Sequence, residues 1–257
     1  MNSISVRALL VRGMLAGLIA GAVAALVAYV LGEGPVDAAI AFEESHSHEH
    51  GGEELVSRAV QSTAGLATAL LLFGVAVGGV AALAHATALG RIGSFGPRAT
   101  AALISLGGLL TVYVVPYLKY PPNPPAVGDP ETIGRRTALY FLMVVLSVLL
   151  GVAAVILGKR LAPRLGKENA TVAAAAAFVG VVALAYAFLP SFDEVPKGFP
   201  AAVVWDFRLA TLAIHVTLWT VFALTFSHLA GRLHTGPTPA RRDHSRASVA
   251  QPGPSAD

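Results

Sequence analysis

The chain has 257 residues, 55% of them hydrophobic and only 13% charged, with a mean hydropathy of +0.67 and a net charge of +3. Soluble domains carry about 25% charged residues, so there is too little charge here to wet a globular surface, and the lipid bilayer is the first partner implied. The absence of cysteine excludes disulfides, thiolate metal sites, iron–sulfur clusters and cysteine nucleophiles.

Six charge-free runs reach the roughly 20 residues that a bilayer crossing needs: 13–31, 66–89, 99–118, 137–157, 170–189 and 209–229. They predict an all-α polytopic membrane protein with six transmembrane helices in a single membrane domain, 1–230. The tail 231–257 loses its apolar residues, gains Pro, Arg and Ser, and is expected to be disordered on the cytoplasmic side. Arg7 and Arg12 precede a first run too long for a signal-peptide core, so it reads as an uncleaved span. With the N-terminus inside, segments 1–12, 90–98, 158–169 and 230–257 hold 12 of 18 basic residues and 3 of 15 acids. That bias predicts an N-in, C-in topology. It also explains the basic pI without nucleic acid.

Along the first span, Gly13, Gly17 and Gly21 recur every four residues, a stripe that lets helices approach closely. Ordinary packing inside the bundle is the favoured reading, with a homo-oligomer contact as the alternative. The external connection 32–58 follows, with a short helix expected over 36–44 that places Asp37 and Glu44 on one face. Beyond it, His46, His48 and His50 alternate with small or acidic residues. Alternate residues of an extended chain point the same way, so three imidazoles can converge on one divalent ion, with Glu43 and Glu44 completing the site.

The second span opens on a polar stripe of Glu54, Arg58, Gln61, Gly65 and Thr68, and carries His85 near its cytoplasmic end. The third and fifth spans share a weak repeat, Gly107, Tyr113, Pro116 against Gly180, Tyr186, Pro190. Between the third and fourth lies a proline-rich external lip, 116–136. Pro121, Pro122, Pro124 and Pro125 forbid helix and favour a stiff extended segment. Asp129-Pro130-Glu131 then reads as an N-cap, a first-position proline and a first-turn acid. Asp129 and Glu131 are also candidate oxygen ligands on a transport path, as is Asp37. On the last span Arg208, Thr211 and His215 share a face, with His215 about 10 Å deeper than Arg208. An ionisable side chain at that depth is a functional-site candidate. No P-loop, zinc-protease, nucleophile-elbow or dinucleotide motif occurs, so an enzyme is not expected.

Four stretches together resemble the CbtA family, described as probable cobalt transporter subunits. They are GEGPVDAAIAFEE after the first span, the histidine-rich segment, the lip PYLKYPPNPPAVGDPETIGRRT, and EVPKGFPAAVVWDFRLATLAIHVTLW at the last span. The resemblance implies uptake of Co²⁺ across a prokaryotic cell membrane, a link to cobalamin biosynthesis, and a small single-span CbtB-type partner subunit. It implies no permanently bound cofactor and supplies no binding residues of its own. The alternative is a metal-binding receptor or assembly module without a transport path.

Overall fold

The computed structural model describes residues 6–46 and 57–234. Among them the chain forms six helices and no strand: α1 (Val6–Leu31), α2 (Glu33–His46), α3 (Arg58–Ala88), α4 (Pro97–Lys119), α5 (Ile133–Phe188) and α6 (Ala201–His234). All but α2 are long and apolar enough to cross a membrane, so five such helices stand where six spans were expected.

The difference lies in α5. Its 56 residues would reach about 84 Å if straight, against about 30 Å of hydrocarbon. It is not straight. At Gly166 φ is 77° and ψ is 162°, a conformation essentially confined to glycine. The arms on either side fold back on each other. Met143, Leu146 and Leu150 pack with Phe178, Val182 and Ala185, and a Cβ on Gly158 would lie 3.4 Å from that of Ala174. The predicted runs 137–157 and 170–189 are these arms. The basic connection 158–169 is helical on both sides of Gly166, which joins the two runs into one element. Helix also runs four residues past the expected start of the tail, to His234; the rest of 231–257 lies outside the described residues.

Packing begins with glycine on glycine. Gly13 lies on the backbone of Gly78, Gly17 on Gly74 and Gly21 on Leu70, and a Cβ at Gly74 or Gly78 would in turn strike α1. The stripe is therefore bundle packing within one chain. α6 wedges against this pair through Phe222 and Phe226, both fully buried, with rings stacked 5.2 Å apart. Trp219 covers the backbone of Gly108 in α4. His85 belongs to the same core: it is fully buried, edge-on to Phe226, and its Nε2 donates to the Pro97 carbonyl at 3.0 Å. It fastens α3 to the start of α4.

The two ends of the bundle differ in character. At one end α2, the lip, the 189–200 connection and the start of α6 converge on Ala39, Val127, Phe199 and Val204, with Phe42 against Phe199 at 4.8 Å. At the other, Lys159 Nζ donates to the Arg91 carbonyl at 2.6 Å, Arg12 donates to the Leu229 carbonyl at 2.7 Å, and Arg98 packs on Gly231. The acid-rich connections thus share one end and the basic ones the other.

Gly17→Leu should force α1 off α3 and destabilise by about 1–3 kcal/mol. This would appear as a lower thermal midpoint in detergent. Gly107→Ala, where nothing approaches within 4 Å, should be neutral or slightly stabilising.

Candidate functional site

Beneath the lip lies a cavity of about 470 Å³. Its roof is Tyr120 to Asn123, and its walls come from the starts of α5 and α6 and from residues 192–195. The floor is His215 with Tyr113 and Thr211.

The roof is tied down by side chains from below. Arg208 Nη2 donates to Asn123 Oδ1 at 2.9 Å and its Nε to the Pro122 carbonyl at 3.3 Å. The Tyr117 hydroxyl donates to the Arg208 carbonyl at 2.9 Å. Lys119 Nζ reaches the Tyr186 carbonyl at 2.9 Å and Ser191 Oγ at 2.8 Å, and the Tyr120 hydroxyl donates to the Pro190 carbonyl at 2.9 Å. The lip is thereby held against both α6 and the end of α5.

The wall is organised by Glu194. Its carboxylate accepts from Thr132 Oγ1 at 2.6 Å and from the Asp129 amide at 3.0 Å, and pairs with Arg136 Nε at 3.2 Å. Those bonds, the Thr132 hydroxyl first, hold its carboxyl below the ordinary carboxylate range against an opposing effect of burial. Asp129 caps the short 3₁₀ turn Pro130–Thr132 by accepting from the Glu131 amide at 2.9 Å, and α5 follows directly.

At the floor α4 widens into a π-helical turn over Leu109–Val114, with the Ser147 hydroxyl donating to the Thr111 carbonyl inside it. Such turns recur at functional sites. Here it carries Tyr113, buried and stacked on His215 with centroids 3.7 Å apart and planes 8° from parallel. His215 Nδ1 contacts the Thr211 carbonyl at 2.9 Å. A carbonyl can only accept, so Nδ1 carries the proton and Nε2 keeps its lone pair in the neutral ring. That nitrogen is the one a metal ion or a proton would take.

Of the residues named from sequence, Arg208 and His215 are brought together in this cavity. Asp37 is not; its Oδ1 accepts from Arg58 Nη2 at 2.9 Å, and Glu33 pairs with the same guanidinium. Asp129 is used as a helix cap, and Glu131 is exposed. Glu43 and Glu44 are exposed near the end of α2, which closes at His46. His48 and His50 lie outside the described residues, as does the His46 side chain. Among the described residues no three His, Asp or Glu side chains group as a metal site. Tyr113, Lys119, Tyr140 and Glu194 escaped the sequence reading. The repeat of Gly107 and Tyr113 was the only pointer to any of them, and it carried no chemistry.

Residues 6–231 match the family model described as Probable cobalt transporter subunit (CbtA). No curated protein and no solved structure matches the chain.

Glu194→Gln tests the wall. A carboxyl that titrates lower when folded contributes fully above its unfolded value, about 4.3, and loses that contribution as pH falls through the folded value. The gap in thermal midpoint between wild type and Glu194→Gln should be present at neutral pH and close as the pH falls below the ordinary carboxylate range. A gap that stays constant over that range would assign the loss to shape alone.

Proposed function

Because the chain belongs to the CbtA family of probable cobalt transporter subunits, we propose that it is the multi-pass membrane subunit of a divalent cobalt uptake system in a prokaryotic cell membrane. The arms of α5 cross separately, which gives six passes with both termini in the cytoplasm. The acid-rich end faces outward. Cobalt is captured there by His46, His48, His50 and Glu43 or Glu44, and passes beneath the lip to His215. The small single-span CbtB-type subunit completes the system, and the chain performs no catalysis of its own.

The observation that carries this reading is the cavity itself. It lies at the end where the three acid-rich connections gather, and its floor is an imidazole within a membrane-spanning helix. The second reading is a metal-binding receptor or assembly module without a path of its own.

Replacing His46, His48 and His50 together with alanine should lower cobalt accumulation by roughly tenfold or more at limiting metal. Uptake at wild-type level would remove that segment from the mechanism. His215→Ala should lower transport at every cobalt concentration in liposomes holding the full system. If the purified chain binds cobalt while His215→Ala leaves flux through the full system unchanged, the receptor reading prevails.

The native chain has no cysteine, so single-cysteine labelling can fix the topology. Lys167→Cys beside the α5 turn should react only from the cytoplasm, and Ser191→Cys only from outside. Both reacting from one side would leave α5 as a single pass and reject the six-pass topology.

A further inference from the structure

The charges lining the cavity do not match a bare cation. Lys119, Arg136 and Arg208 face Asp193 and Glu194. Glu194 is committed to Arg136. Among the described residues Lys119 and Arg208 form no ion pair, although both are half-buried; their partners are carbonyls, an amide oxygen, a hydroxyl and, for Lys119, the face of the Tyr120 ring at 5.8 Å. Neutral acceptors satisfy hydrogen bonds and leave the charge uncompensated. Asp193, exposed at the rim, is the one remaining carboxylate of the lining against these two cations.

We infer that the cavity holds an oxyanion site, for a carboxylate or phosphate group, between Lys119 and Arg208. Donor capacity remains for it. A guanidinium offers five N–H groups and an ammonium three; Arg208 uses Nε and Nη2 toward the lip and Lys119 makes two bonds. The Tyr140 hydroxyl belongs to the same lining, and the buried Tyr113 hydroxyl has no hydrogen-bond partner among the described residues. A phenol hydroxyl can donate. Arg and Lys beside hydroxyl donors form the set that recognises carboxylate and phosphate.

The site deepens the transport reading, on which this next consequence alone rests. With an oxyanion in place the cavity loses its excess positive charge, and a divalent ion can then approach His215 without meeting two uncompensated cations.

Anion binding can be tested with no cobalt present. The purified, delipidated full chain would be titrated with inorganic phosphate and with citrate at constant ionic strength in chloride, and the thermal midpoint followed, since a ligand of the folded state raises it. Native mass spectrometry of the chain with phosphatidylglycerol forms the second arm. A saturable rise with phosphate or citrate, about tenfold weaker in affinity in Lys119→Gln, identifies a soluble anion. No rise, but lipid retention that Lys119→Gln loses, identifies a lipid headgroup phosphate.

Lys197→Gln, which removes a positive charge outside the cavity lining, should retain whichever response the wild type shows. Neither response in wild type, or equal responses in wild type and Lys119→Gln, overturns the site. Anion binding together with failed cobalt transport would sink the previous proposal and leave this one standing.

Discussion

Arg208 is the residue on which the lip end of the molecule depends. A permanent cation on a membrane-spanning helix must find acceptors or the helix will not sit at that depth. The lip is built to supply them. Of the five residues from Pro121 to Pro125, four are prolines, so their carbonyls come with almost no amide hydrogens to compete for them. A segment rich in acceptors and poor in donors meets a side chain that has only donors. The Pro122 carbonyl and Asn123 Oδ1 take the guanidinium, and the Arg208 carbonyl takes the Tyr117 hydroxyl in return. The stiffness of the prolines then holds the lip clear of the helices beneath it, and the space left is the cavity.

That arrangement needs a rigid floor, which the inner packing provides. Between lipid-embedded helices there is no hydrophobic driving force, so close van der Waals contact has to substitute. The stripe of Gly13, Gly17 and Gly21 on Gly78, Gly74 and Leu70 brings two backbones together where side chains elsewhere would hold them apart. The Phe222 and Phe226 wedge fixes α6 against that pair, and so fixes the depth and facing of His215 on the same helix. Tyr113 is presented to it from α4 by the π-helical turn.

Much of the scaffold was legible in the sequence. The hydropathy runs, the Asp129 cap and the shared face of Arg208, Thr211 and His215 rest on local rules of length, capping and periodicity, and all recur in the structure. What was hidden depended on partners distant in the chain. Among the described residues Arg58 pairs with Glu33 and Asp37, 25 and 21 residues away, while Glu54, four residues before it, lies outside them. Glu194 looked like one acid in a polar loop because Thr132 and Arg136 are about 60 residues upstream. The π-helical turn has no composition signal, since LLTVYV reads as ordinary helix. The join inside α5 is hidden because Gly158, Pro163 and Gly166 read as helix breakers, although the Leu, Ala, Lys and Arg between them are good helix formers. Only the φ of Gly166 distinguishes a tight helical turn from a polar loop.

The charge pattern along the cavity axis changes sign in a way that neither a simple cation funnel nor a simple anion pocket explains. The acid-rich connections share the lip's end of the bundle, two cations without an ion pair among the described residues stand under the lip, and an imidazole with a free lone pair lies at the floor. An acidic rim raises the local concentration of a divalent ion. On the path proposed above, the cations beneath it would oppose deeper entry until their charge is met from the solvent or the lipid. Placed in that order, the groups would make progress toward His215 depend on a second, negatively charged species. A low-dielectric interior makes such a dependence strong, because uncompensated charge there is felt far more than at a wet surface.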